Sequence, residues 1–211
     1  MLDLECVAVE AHNPALIELG AVHFDIVTGA ELRSLKTPIS LQSCLDHGLL
    51  SDDDTISWVE RNIPQTLATS KTTAITLEYA LFKFSNFVRS CVAATKKTLR
   101  ELGRDPEFCQ AKIWGNGVIA DNVWIKSAYR ACNIERPWKF TGDMCVRTMV
   151  NSTSSITGRD YTREVVRQGR HHDALDDCRH QVKYLVLAMN SLAPKETPKK
   201  TVEPGKPITR N

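Results

Sequence analysis

Leu2 and Leu4 alternate with Asp3 and Glu5 at the start of the chain, the two-residue period of a strand. Both carboxylates therefore leave the same face, where they can share one cation. Residues 16–27 are rich in apolar and β-branched side chains, and the Thr28-Gly29 turn leads into a second run over 31–40. This pattern predicts an antiparallel hairpin beside the first strand. Asp52-Asp53-Asp54 ahead of Thr55-Ile56-Ser57-Trp58 reads as an acidic helix start, because side-chain oxygens there accept free backbone N–H groups. Leu77, Leu81, Phe84, Val88 and Cys91 recur at helical spacing and predict a helix over 73–94. The charged stretch 95–110, with Gly103 and Pro106, reads as a surface connection.

Farther along, residues 111–114 predict a short strand that ends in the turn Gly115-Asn116-Gly117. A helix follows from about Asp121, with Asp121, Trp124 and Ala128 on one face. An unpaired carboxylate in the core is costly, so Asp121 is expected to overhang a polar cleft. Residues 142–146 predict another strand, and the Ser-, Thr- and Gly-containing stretch 151–170 a polar loop. A last helix over 174–189 carries the apolar stripe Leu175, Cys178, Val182, Leu185 and Met189.

The 211 residues, 42% of them apolar, are enough for one sizeable core, and one domain is expected over 1–192. The tail over 193–211 holds four prolines and five Lys or Arg against two Glu, and is expected to be disordered. Because the whole chain has a formal net charge of +2, the body is about neutral. Any grip on phosphates must then be local or carried by metal ions. The seven cysteines form no Cys-x2-Cys pair, which argues against a structural zinc site and fits a reducing compartment. No apolar run approaches the ~20 residues needed to span a bilayer, and no leader peptide is legible, so an intracellular, cytoplasmic protein is the default expectation. Only two residues precede Asp3, a short lead for a sheet strand, which leaves an internal Met or a truncated N-terminus open.

Chemistry enters with His171-His172-Asp173-Ala174-Leu175-Asp176-Asp177. Together with Asp3, Glu5 and Asp121 this segment supplies four acids and an imidazole. Two hard cations about 4 Å apart, magnesium or manganese, can clamp the attacking and leaving oxygens of a phosphodiester displacement, with Asp3, Glu5, Asp121 and Asp177 as ligands. A base for the attacking water is still needed, and His is the side chain with an unperturbed pKa nearest neutrality. In one regular helix His172 and Asp177 would stand about 140° apart, so His172 fits better in the loop before the helix. Taken singly, Asp-x-Glu is usually a solvated strand face, Asp121 a helix cap and a His pair a surface loop. Their ordered combination reverses that weighting. A zinc hydrolase using His171, His172 and Asp173 lacks the separated ligand pattern such sites need.

At these residues the chain resembles the histidine-bearing DEDD exonucleases of the ribonuclease H-like fold, which include polymerase proofreading exonucleases, ribonuclease T and oligoribonuclease. The matching segments are MLDLE, IWGNGVIADNVWIKSAYRAC, DMCVRT and HHDALDDCRHQ. With GAVHFD and ISLQSC they look most like a compact branch of bacteriophage-type and mycobacterial 3′ to 5′ exoribonucleases, over roughly residues 1–190. The resemblance implies an α/β domain with a mixed sheet, its first three strands antiparallel and helices on both faces. It further implies two Mg²⁺ or Mn²⁺ ions: Asp3, Glu5 and Asp177 hold the first, Asp3 bridges to the second, and Asp121 reaches that ion directly or through water. His172 would deprotonate the nucleophilic water, and nucleoside 5′-monophosphates would leave the 3′ end of a single strand or overhang, RNA favoured. His171 and Asp176 stand equally far apart, but small Cys178 after Asp177 matches the family and selects His172 with Asp177.

Cys6 and Ala120 depart from the family, which usually has Thr and an aromatic residue there, so a non-catalytic nucleic-acid-binding relative is the competing reading. Trp58 is a candidate to stack on a terminal base, against an ordinary core role. Asn116, Arg147 and Asp143 match family blocks and are candidates to position substrate, against structural capping. Arg159, Arg163, Arg167 and Arg170 are candidates for phosphate contact, against a solvated face. The oligomeric state, a homodimer included, is left open by the sequence.

Overall fold

A computed structural model describes residues 1–193. It contains a five-stranded sheet of β1 (Leu2–Cys6), β2 (Leu16–Phe24), β3 (Glu31–Pro38), β4 (Ile113–Gly115) and β5 (Asp143–Cys145), in the order β3-β2-β1-β4-β5. β1 pairs antiparallel with β2, which pairs antiparallel with β3, while β4 runs parallel to both β1 and β5. The hairpin read from Thr28-Gly29 is present, with Gly29 at φ +75°. Asp25 holds that turn by accepting hydrogen bonds from the Val27 and Thr28 backbone N–H groups.

Strand alternation divides the core between the two sheet faces. Leu2, Leu4, Ile17, Leu19, Ala21 and Ile113 point to one side, beneath α4 (Leu77–Glu101) and α5 (Asp121–Ala131). Val22 and Trp114 point to the other, against α6 (Val146–Thr157) and α8 (Ala174–Ser191), with the short α7 (Tyr161–Glu164) alongside. Asp3 and Glu5 share this second face with Glu18 and Gly20 of β2, as the register pairs Asp3↔Gly20 and Glu5↔Glu18 shows. Three further helices, α1 (Leu41–Asp46), α2 (Asp53–Asn62) and α3 (Pro64–Thr72), follow β3, and Asp52 caps α2 by accepting the Thr55 N–H at 2.6 Å.

Several helical boundaries differ from those expected. α4 begins at Leu77 with Thr76 as its cap and runs on to Glu101, because Lys96, Lys97, Leu99 and Arg100 are good helix formers despite their charge; Gly103, at φ +67°, follows its end. Residues 151–170 are not a loop throughout: α6 continues to Thr157, and α7 follows. Its Ser and Thr hydroxyls bond back to carbonyls of the preceding turn, Thr153 to Met149 and Thr157 to Thr153, so a loop-like composition is absorbed into a helix. α1 and α3 were not expected; each is short and buries only two residues, Leu41 and Cys44 in α1 and Leu67 and Ser70 in α3, too few for a legible stripe. The tail expected to be disordered over 193–211 lies, from residue 194 on, outside the described residues.

Candidate active site

β1 is the central strand, and it delivers Asp3 and Glu5 to a cleft of about 730 Å³ at the end of the sheet. Asp121 enters from the start of α5. The turn before it depends on Gly115, where an added Cβ would lie 2.3 Å from Asn122 Oδ1 and 2.9 Å from Asp121 Cβ. The Gly117 N–H then donates to Asp121 Oδ2 at 3.4 Å. Asp177 comes from the first turn of α8, whose cap is Asp173. All four carboxylates line the cleft, and each is 9% exposed or less.

His172 stands ahead of α8 with φ +58°, a left-handed backbone unusual for a residue other than glycine. Its N–H donates to Asp177 Oδ2 at 3.1 Å, and its ring meets Trp58 edge-on at 4.7 Å and His171 at 4.0 Å between centroids. One ligand atom each from Glu5, His172 and Asp177 lies within 4.8 Å of the others. Asp176 is placed elsewhere, accepting from the Arg170 N–H at 2.9 Å and from Arg179 at 3.2 Å. Asp173 turns to Lys36 at 2.5 Å, so the His171, His172, Asp173 grouping does not gather.

The electrostatics follow from burial. Burial pushes the Asp3 carboxyl well above the usual carboxylate range, aided by the charges of Asp121, Glu5 and Asp177 and opposed by a hydrogen bond from Gln181. Burial first, and then Asp177 and Glu18, raise Glu5 to about 8. Asp121 rises to about 6 because burial outweighs the backbone N–H groups that bond it, Gly117 first. His172 is lowered by burial and by His171. Among the described residues no Lys or Arg pairs with Asp3, Glu5 or Asp121, and Arg167 alone among the cations forms an ion pair with Asp177. Buried carboxylates short of positive charge, joined by an imidazole, are a donor set suited to a hard divalent cation.

The remaining candidates separate. Trp58 is 38% exposed and lines a neighbouring hollow of about 480 Å³ with Leu4, Glu5, Cys6, Val9 and His172. Arg147, in the first turn of α6, is exposed on the cleft wall and forms no ion pair among the described residues. Asn116 also lines the cleft; its Oδ1 accepts from Tyr184 at 3.2 Å and its carbonyl from the Arg147 N–H at 3.0 Å. Arg167 reaches the cleft, whereas Arg159 pairs with Glu164 and Arg163 with Asp160. Asp143 is held by Trp138 Nε1 at 2.8 Å and by Arg136, away from the carboxylates. Cys6 packs into the core below the cleft, and Ala120 occupies the α5 cap position; neither displaces a carboxylate.

Sequence reading missed Gln181, whose Nε2 donates to Asp3 Oδ1 at 2.7 Å, and Tyr184. They follow Asp177 by four and seven positions, the spacing of one helical face, so a polar stripe on α8 was the available signal.

No curated protein matches the chain in sequence. The nuclease domain of 3′hExo, a DEDDh family member whose crystal structure has rAMP bound, is similar in fold, with a TM-score of 0.54 at 15% identity over 90% of each chain. The strand order, the antiparallel first three strands and the helices on both faces are those of the ribonuclease H-like DEDDh nucleases. The model of the Rv2179c-like 3′-5′ exoribonuclease domain matches residues 1–189, and the chain belongs to that family of exonucleases.

Proposed function

We propose that this protein removes nucleoside 5′-monophosphates from the 3′ end of single-stranded RNA, or of a 3′ overhang, with Asp3, Glu5, Asp121 and Asp177 holding two Mg²⁺ or Mn²⁺ ions. The observation that carries this reading is the convergence of four buried carboxylates, with Glu5, His172 and Asp177 presenting ligand atoms within 4.8 Å of one another. Bound there, the cations would activate water and offset the charge that develops on the phosphate oxygens. His172 accepts the proton of the attacking water at a ring nitrogen, its ring braced by the edges of Trp58 and His171. Gln181 orients Asp3, and Tyr184 orients Asn116. Arg147 contacts the substrate phosphate, and Trp58 offers its half-exposed ring to the terminal base. The bound rAMP of 3′hExo supports a ribonucleotide end as the substrate.

The test is an end-labelled panel of RNA and DNA strands and overhangs with Mg²⁺, Mn²⁺ or EDTA. Stepwise, metal-dependent release of 5′-mononucleotides, faster from RNA, is expected. Binding without turnover would replace this reading with that of a non-catalytic relative.

A further inference from the structure

The start of α8 carries both His172, just ahead of it, and Asp177, and it rests on the β2–β3 hairpin through contacts that the chemistry above does not use. At Gly20 an added Cβ would lie 2.2 Å from the Ala174 carbonyl carbon, so the helix start is seated directly on the strand backbone. The Cys178 thiol donates to the Gly20 carbonyl at 3.3 Å. Two positions along the same face, Glu18 is 6% exposed, and its Oε2 accepts the Ala174 N–H at 3.1 Å. Its Oε1 is 3.3 Å from Lys36 Nζ, and Lys36 donates in turn to Asp173 Oδ2 at 2.5 Å. Asp173 Oδ1 accepts the Asp176 N–H at 3.3 Å, capping α8. One ammonium thus joins two carboxylates that each bind a first-turn N–H of the same helix.

We propose that Glu18, Lys36 and Asp173 form a positioning triad that sets His172 and Asp177 against Glu5, so that Lys36 governs turnover from outside the cleft. The inference rests on the roles given above to His172 and Asp177. None of the three lines the cleft, so their effect on turnover does not pass through substrate contact. Without Lys36, Glu18 and Asp173 would share a site with no cation between them, and like charges so placed repel. Asp173 directly follows His172, whose left-handed backbone is tied by one N–H to Asp177. Any displacement of Asp173 therefore passes to the base and to the fourth carboxylate together.

The test compares the parent with Lys36→Met and Lys36→Arg, reading kcat and KM on a short single-stranded RNA at saturating Mg²⁺, and Mn²⁺ affinity of the free protein by calorimetry. A misplaced base costs roughly 10- to 100-fold, so Lys36→Met is expected to lower kcat by about that factor with KM within about twofold. Its Mn²⁺ affinity should fall several-fold, and Lys36→Arg should restore both. Glu18→Gln, which keeps an acceptor for Ala174, is read by the same criteria should Lys36→Met fail to fold. A parent without metal-dependent mononucleotide release overturns the nuclease reading. An active parent whose folded Lys36→Met variant keeps both kcat and Mn²⁺ affinity, or whose Lys36→Arg variant is no better than Lys36→Met, overturns this inference alone.

Discussion

Two groups of carboxylates lie along the start of α8 and are neutralised in different ways. Glu18 and Asp173 share Lys36, and they also accept N–H groups of the helix. Lys36 and the helix N–H groups complete that group within the protein: they hold Asp173 below the usual carboxylate range against the effect of burial, while at Glu18 burial outweighs them and raises the carboxyl. Asp3, Glu5 and Asp121 are buried alongside, yet no Lys or Arg among the described residues pairs with them. Burial pushes their carboxyls upward, as it does that of Glu18, but with no Lys or Arg beside them, among the described residues, to oppose it. On the reading proposed above, the contrast separates a charge cluster that positions the helix from one that ions from solution would complete.

The largest effect is expected from removing a proposed metal ligand beside the second group. Asp177→Asn is expected to lower turnover by at least about 10³-fold, equivalent to roughly 4 kcal/mol, while circular dichroism stays unchanged. A well-folded Asp177→Asn protein with near-parental turnover at saturating Mg²⁺ would refute the assignment. His172→Ala should cost about 10²- to 10⁴-fold, partly recovered as pH rises, with little change in metal affinity, whereas His171→Ala should be mild. Turnover against pH for both variants checks this, and a larger loss in His171→Ala would shift the base by one residue.

Stability measurements sharpen the comparison further. Gly20→Ala drives a methyl into the backbone at the α8 start and is expected to destabilise the protein by about 3 kcal/mol in urea titrations. Unchanged stability would show that α8 can lift from β2 at no cost. In the metal-free protein Asp3→Asn is expected to raise Tm, because it removes one of several mutually repelling buried charges, whereas Lys36→Met is expected to lower it. Thermal melts with EDTA distinguish these directions.

The smallest effect is the pH dependence of the metal-free fold. Glu5 titrates near 8 when folded, above its ordinary 4.5, so its contribution to stability is fully present below pH 4.5 and is lost as pH rises through about 8. Asp3 and Asp121 act in the same direction. The lowered His172, His23 and His180 and the buried Met1 ammonium, lowered to about 6, act oppositely, gaining stability as pH rises toward their ordinary values. Calorimetry with EDTA should therefore show Tm falling more steeply, or rising less, between pH 5 and 9 in the parent than in a Glu5→Gln variant, and saturating Mg²⁺ should flatten the parent's profile. Parallel profiles for the parent and Glu5→Gln without metal would mean that Glu5 is compensated within the protein.

Much of the site was legible from local rules. Alternation in residues 1–5 placed Asp3 and Glu5 on one face, the turn at Gly115-Asn116-Gly117 placed Asp121 at a helix start, and the angular separation of His172 from Asp177 put the imidazole ahead of α8. The mixed sheet and its antiparallel first three strands were legible through family likeness, whereas the strand order was not, since a three-residue strand such as β4 has little pattern of its own. The Ser- and Thr-rich part of α6 was not legible, because hydroxyls that bond back to helical carbonyls look in sequence like loop residues.

By itself the sequence determined which acids exist, their faces and their order, because strand and helix periodicities act over a few residues. Tertiary structure alone decided which charges became partners. Glu18, Lys36 and Asp173 are separated by as many as 155 positions, and Gln181 meets Asp3 across nearly the whole chain. No local period encodes such pairs; they arise when the hairpin and α8 close on the same sheet face, and it is that closure which pairs one set of carboxylates with lysine and leaves the other open to ions.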